Sequence, residues 1–245
     1  MRNIKLTIEY DGKDFNGWQK QPNKLNIQGT IEQAIKSITN EDVELNASGR
    51  TDAGVHALGQ VANFKTNSQI PIEKFAIAIN SRLKKSIVIK KAEEVDERFH
   101  SRLNCKKKTY RYIINNTPEG TAIYRYLETH IPQKLDVNNM KKAIKYFEGE
   151  HDFKAFKASG TSSKSSVRTI YKTELYENDN KIYIELTGNG FLYNMVRIIA
   201  GTLVDVGLGK IKPEQIEDIL KNGKREDAGK TLPPNGLYLL KVEYE

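Results

Sequence analysis

Residues 4–10 read Ile-Lys-Leu-Thr-Ile-Glu-Tyr, an unbroken alternation of apolar and polar side chains. Period two is the pattern of a strand with one buried face. Residues 167–176 and 182–187 read as a hairpin pair of strands, and 237–244 alternates as a closing strand. Shorter strands are expected at 43–47, 60–66 and 87–89. The stretches between carry helical spacing. Ile31, Ala34, Ile35 and Ile38 form one set, with Thr30 and Gln33 as a capping box. Ile72, Phe75, Ala76, Ile79 and Leu83 come after Pro71. Met140, Ala143, Ile144 and Phe147 form a third set, with Asp136 as N-cap and Gly149 as C-cap. Ile216, Ile219 and Leu220 fall between Pro213 and Gly223. Strands outnumber helices, so the expected class is α+β: two similar halves, 1–105 and 106–245, built on a largely antiparallel β-sheet with helices packed on one face.

A chain of 245 residues can bury a sizeable core. The net charge of +8 suggests a polyanionic partner, and a generic basic surface would give the same count. Cys105 is the only cysteine, which excludes an internal disulfide framework and a multi-cysteine zinc site. The four histidines form no metal-spaced pair, so no metal is expected. The first residues are already strand-like, without a long apolar targeting segment, and no apolar run approaches roughly 18 residues. The expectation is a cytoplasmic protein without a membrane segment.

Chemistry concentrates in residues 47–57, Ala-Ser-Gly-Arg-Thr-Asp-Ala-Gly-Val-His-Ala. Gly49 and Gly54 permit close backbone approach to a ligand, and Ala53 and Gly54 leave Asp52 unshielded. Arg50, two residues earlier, alternates onto the same side if the backbone is extended. A guanidinium within ionic reach keeps a carboxylate ionised. Such a pair suits a nucleophile acting on a phosphate-bearing substrate, and it equally suits a solvated pair on a glycine-rich turn.

Two later stretches add to this. Arg102, Lys106, Lys107, Lys108 and Arg111 interleave with Tyr110 and Tyr112, which share a strand face. The pattern fits a nucleic-acid strand, with cations on phosphates and a ring under a base, or an edge strand blunted by lysines. Residues 190–207 read as a helix apolar nearly all round and hence buried, with Asn194 and Arg197 on one face. A buried Arg needs a carboxylate, and stripping one partner from such a pair costs roughly 3–5 kcal/mol. Asp52 is the candidate, which would place a catalytic cleft between the halves. Asp205, about 12 Å along the same helix, is too far for a direct pair. Residues 157–168, rich in Ser, Lys and Gly, read as a mobile basic loop. Trp18 reads as a loop anchor on a core, although a single Trp can also stack on a base.

The run Gly49-Arg50-Thr51-Asp52-Ala53-Gly54-Val55-His56 resembles the active-site motif of the TruA-type tRNA pseudouridine synthases. Tyr10, Asp11, Gly12, Phe15, Gly17, Trp18 and Gln19 resemble that family's opening signature, residues 108–112 its base-packing segment, and residues 188–197 its arginine segment. Residues 231–239 resemble its last motif, with Leu232 where the family usually has Ala. The resemblance implies Asp52 as nucleophile, Arg50 and Arg197 as the cations that hold it, and Tyr110 as the ring that packs on the target base. It also implies a tRNA substrate, modified at uridines 38, 39 and 40 of the anticodon stem-loop, no cofactor, and a homodimer. Two other classes fit parts of the pattern. A non-catalytic RNA-binding module explains the charge and the tyrosines but not an Asp amid cations. A hydrolase would need a second carboxylate or Mg²⁺ ligands, and residues 47–57 supply Asp52 alone.

Overall fold

The computed structural model describes residues 1–160 and 165–245, which form two compact units. The first comprises Met1–Lys106 and Tyr238–Glu245, the second Lys107–Leu237. The closing strand, grouped by sequence with the second half, therefore packs in the first unit.

In the first unit the strands are β1 (Arg2–Tyr10), β2 (Asn46–Ala47), β3 (His56–Thr66), β4 (Ile87–Val95) and, from the C-terminus, β10 (Leu237–Glu243). Their order is β4-β1-β3-β10, with β2 beside β3. β1 is antiparallel to both neighbours, and β10 joins β3 in parallel at Tyr238↔His56 and Leu239↔Ala57. The alternation in β1 has the expected consequence: Ile4, Leu6, Ile8 and Tyr10 are all buried. Ile4 sits opposite Phe64, whose ring meets Phe75 of helix α2 (Ile72–Asn80) edge-on at 6.1 Å. Helix α1 (Ile27–Thr39) adds Ile27, Ile31, Ala34 and Ile35 to the core. The opposite face of β1 is polar and is tied to residues 96–101. Asn3 Nδ2 donates to the Asp96 and Phe99 carbonyls, and Asn63 Oδ1 accepts the Ser101 amide.

The second unit contains β5 (Lys107–Asn115), β6 (Thr129–His130), β7 (Gly149–Asp152), β8 (Val167–Asn178) and β9 (Lys181–Gly188), in the order β5-β9-β8-β7 with β6 parallel to β5. The β8–β9 hairpin turns through Asp179 and Asn180, both with left-handed backbone. Its inner residues Ile182, Ile184 and Leu186 pack with Tyr112, Ile114 and helix α4 (Met195–Gly207), of which eleven residues are buried. Helices α3 (Val137–Ile144) and α5 (Gln215–Asn222) complete that core through Met140, Ala143, Ile144, Ile216 and Leu220. The outer face carries Tyr176 stacked on Tyr183 at 5.0 Å and the Arg111–Glu185 ion pair at 2.7 Å. The fold is thus mixed α and β with mostly antiparallel pairing.

Several boundaries differ from the sequence reading. α1 starts at Ile27 because Asn26, not Thr30, caps it: the Gly29 amide donates to Asn26 Oδ1 at 2.8 Å. The strand expected at 43–47 pairs only at Asn46–Ala47. α3 ends at Ile144 and runs into a 3₁₀ turn, Lys145–Phe147. Gly149, at φ +107°, opens β7 instead of capping the helix. α4 begins at Met195 and not near 190, because Asn194 adopts φ +60° and breaks the turn before it. Asp205 pairs with Lys210 at 3.0 Å. Of the basic loop at 157–168, residues 161–164 lie outside the described residues.

Candidate active site

The 48–55 loop joins β2 to β3 and is held from beneath by buried polar groups. Ser48 donates its amide to the Val61 carbonyl at 2.7 Å and its hydroxyl to Gln60 Oε1 at 2.7 Å. Gln60 Nε2 donates to the Gly49 carbonyl at 2.9 Å. Ser48 and Gln60 are fully buried, so each unpaired group would cost about 1–3 kcal/mol, and these bonds pair both side chains. Further along, Thr51 Oγ1 shares a 2.7 Å hydrogen bond with the Tyr10 hydroxyl. Burial pushes the Tyr10 phenol above its ordinary pKa, an effect partly offset by hydrogen bonds to Thr51 and Gln60, so it is neutral at physiological pH.

The 11–18 segment closes on the loop from the side. Trp18 is buried and donates its amide to the Thr51 carbonyl at 3.0 Å, anchoring this segment on the core. Gly54 donates to the Phe15 carbonyl at 3.4 Å, and Val55 to the Asp52 carbonyl at 3.2 Å. Two glycines let the backbones touch. A Cβ on Gly17 would lie 2.6 Å from the Thr51 carbonyl oxygen, and one on Gly12 would lie 1.9 Å from that of Val55. Between the buried anchors Thr51 and Val55, Asp52 is partly exposed and Ala53 exposed. The loop therefore presents one carboxylate from a fixed backbone. Arg50 is exposed, and among the described residues no ion pair joins it to Asp52.

In the second unit, Tyr110 lies on β5 opposite Leu186 and is buried, its ring edge-to-face with Phe191 at 5.0 Å. Tyr112, on the same strand face, is fully buried, and its hydroxyl bonds Thr129 Oγ1 at 2.6 Å and the Pro233 carbonyl at 2.7 Å. It secures the 231–236 loop. Arg197, half-buried on the first turn of α4, donates from Nε to the Leu232 carbonyl at 2.7 Å and from a terminal nitrogen to Asn194 Oδ1 at 2.7 Å. The departure at Leu232 thus falls on a residue whose backbone orients this guanidinium, and its side chain is buried. A cavity of about 520 Å³ lies between the 119–130 segment and Pro233 and Asn235, and none of the four candidate site residues lines it.

The part of Tyr10, Gln60, Gly12 and Gly17 in holding the loop was not evident from sequence beyond the presence of two glycines flanking an aromatic loop. Among the described residues no group of three or more His, Cys, Asp or Glu could hold a metal ion, and no helix is long and apolar enough to cross a membrane.

Comparison with known proteins gives a family. A family profile described as tRNA pseudouridine synthase matches residues 6–104 and 143–245. The chain belongs to the tRNA pseudouridine synthase family. It is 52% identical to a tRNA pseudouridine synthase A of Acetivibrio thermocellus over 244 residues, with all of both chains covered. It is 55% identical to that of Caldicellulosiruptor saccharolyticus and 54% identical to a tRNA pseudouridine synthase A 2 of Clostridium perfringens, again over both full lengths. Pseudouridine synthases are isomerases, so the reaction leaves composition unchanged and the site has only to break and remake bonds. The profile match takes in the 48–55 loop and Arg197, whereas Tyr110 lies between its two matched stretches, in a region the full-length relatives cover.

Proposed function

We propose that this enzyme isomerises uridine to pseudouridine in tRNA, at positions 38, 39 and 40 of the anticodon stem-loop, with Asp52 as nucleophile and no cofactor. The observation that carries the reading is the single carboxylate of the 48–55 loop, partly exposed on a backbone clamped from two sides. The C1′–N1 bond breaks, the uracil turns while bound, and C1′ bonds to C5. The C5 proton leaves and N1 gains one, so atoms and electrons balance without hydride or water. Asp52 attacks the sugar C1′ or the uracil ring, and both routes give the same net change. Arg197 holds the charge and geometry of Asp52, and the exposed Arg50 suits an RNA phosphate beside it. Tyr110 packs on the base. Extruding a base costs a few kcal/mol, and one stacking contact returns roughly 1–3 kcal/mol. Phosphate contacts from the surplus of cations supply the rest. The working form is a cytoplasmic homodimer.

The test uses unmodified tRNA transcript without added metal or cofactor, with pseudouridine mapped by carbodiimide labelling and primer extension. Stops confined to the anticodon stem-loop are expected. Tight tRNA binding without stops would turn the protein into a binding module. A metal requirement or release of free uracil would turn it into a hydrolase.

A further inference from the structure

His56, which opens β3 immediately after the 48–55 loop, is 2% exposed and meets the 11–12 segment and Tyr238. The Gly12 amide donates to its Nδ1 at 3.1 Å. Its ring stacks on Tyr238 at 4.8 Å and 24°. Asp11 Oδ1 also stands 3.1 Å from Nδ1 and accepts the Lys13 amide at 3.0 Å. One ring nitrogen cannot accept from Gly12 and donate to Asp11 at once. The Gly12 bond requires the neutral ring with its proton on Nε2.

Gly12 is the residue that touches the loop. A Cβ there would lie 1.9 Å from Val55 O and 2.6 Å from Val55 C, so the two backbones are in direct contact. Val55 in turn closes the Asp52 turn through its amide at 3.2 Å. Nδ1 therefore sets where Gly12 stands, Gly12 sets where Val55 stands, and Val55 sets the carbonyl end of Asp52. A buried polar bond has one geometry, whereas an apolar contact at the same place would leave Gly12 free to slide.

We propose that His56 is a positioning residue for Asp52: its neutral imidazole, through Nδ1, holds Gly12 against Val55 and so fixes where the turn presents the carboxylate. The proposal rests on the reading of Asp52 as nucleophile.

The test compares His56→Asn with His56→Gln on tRNA transcript. The Asn amide group falls near the Nδ1 position and can accept from Gly12; the Gln amide group falls nearer Nε2 and cannot reach it. The Asn variant is expected to keep kcat within about threefold of wild type. The Gln variant is expected to lose about tenfold or more in kcat, with KM and tRNA affinity unchanged, since a sub-ångström misplacement of a reacting group acts on the chemical step. Equal kcat in the two variants would overturn the role of Nδ1, as would a Gln defect confined to KM or to the urea midpoint. Independently of any variant, long-range ¹⁵N–¹H spectra of the wild type at pH 7 should show His56 protonated at Nε2 alone; a proton on Nδ1 would overturn the proposal. A wild-type enzyme that converts no uridine would overturn the reading of Asp52, and this role with it. Wild-type conversion with Asn and Gln alike would overturn only the role of His56.

Discussion

Replacing Gly17 with Ala tests whether the 11–18 segment truly holds the loop that carries Asp52. Gly17 has φ +82°, a conformation that costs an L-residue about 1–2 kcal/mol. The added methyl would also stand 2.6 Å from the Thr51 oxygen and 3.1 Å from both the Asp52 carbonyl carbon and the Ala53 nitrogen. All three are backbone atoms, so no flexible side chain can swing aside. Restoring an ordinary contact needs an opening of about 0.8 Å, and overpacking of this kind costs about 1–3 kcal/mol. Together the destabilisation comes to about 2–5 kcal/mol. Because the displaced backbone belongs to Asp52 itself, the rate falls as well. A misplacement of about 1 Å costs about a hundredfold, and about 0.8 Å scales to roughly fortyfold. Gly209 supplies the control. Its φ of +73° carries the same conformational cost, and nothing lies within 4 Å of a Cβ there. Urea midpoints of wild type, Gly17→Ala and Gly209→Ala give the stability terms. Single-turnover pseudouridine formation without denaturant gives the rates. Gly209→Ala should lose about 1–2 kcal/mol and no rate, and Gly17→Ala should lose more of both. Equal losses in the two variants would refute the clamp.

Tyr10→Phe removes the hydroxyl shared with Thr51 and should destabilise by about 1 kcal/mol while slowing conversion; an unchanged urea midpoint together with an unchanged rate would show the bond to be idle. Tyr110→Ala should slow single-turnover conversion far more than Tyr112→Phe, whose effect should appear as lost stability because its hydroxyl bonds Thr129 and the Pro233 carbonyl; equal rate losses would remove Tyr110 as the base platform. Burial raises the pKa of Tyr10 and of Tyr112 above that of a phenol in the unfolded chain. Their contribution is complete below pH ~10 and is lost as pH rises beyond it, where only the unfolded chain ionises, by about 1.4 kcal/mol per pH unit for each phenol. Urea midpoints at pH 9 and pH 11 should show the fall, Tyr10→Phe should make it shallower, and a flat profile would contradict the burial of both groups.

Much of the fold comes from local rules that a sequence displays. Ile4, Leu6, Ile8 and Tyr10 had to share a face because strand side chains alternate, and Pro71 and Gly223 mark helix ends because one lacks a donor and the other a side chain. The misplacements arise where two local signals compete. Thr30 with Gln33 mimics a capping box, yet Asn26 sits one turn earlier and takes the Gly29 amide, and the Thr30 hydroxyl donates back to the Asn26 carbonyl. The apolar residues Phe191 and Leu192 read as continuous with α4, and the left-handed Asn194 interrupts the run. Long-range pairing leaves no local trace at all. Nothing near Tyr238 announces that it joins β3 beside His56, 182 positions away in the chain, because a parallel partner is chosen by tertiary packing. At the site, the motif itself was readable by its small residues and its lone carboxylate, and what holds it was not. Tyr10 reads as one more core residue of β1, and Gln60 as a polar residue in a strand, until their bonds to Thr51 and Gly49 are seen. Arg50, read as a companion to Asp52, is exposed instead.

The central claim is that one carboxylate performs the reaction, and Asp52→Asn tests it most directly. The substitution keeps size and removes charge, so the clamp around the loop is retained. The measurement is single-turnover pseudouridine formation on tRNA transcript alongside tRNA affinity for the same preparation. The account predicts no detectable product, with affinity within about threefold of wild type. Conversion near the wild-type rate would contradict it and remove Asp52 as the nucleophile.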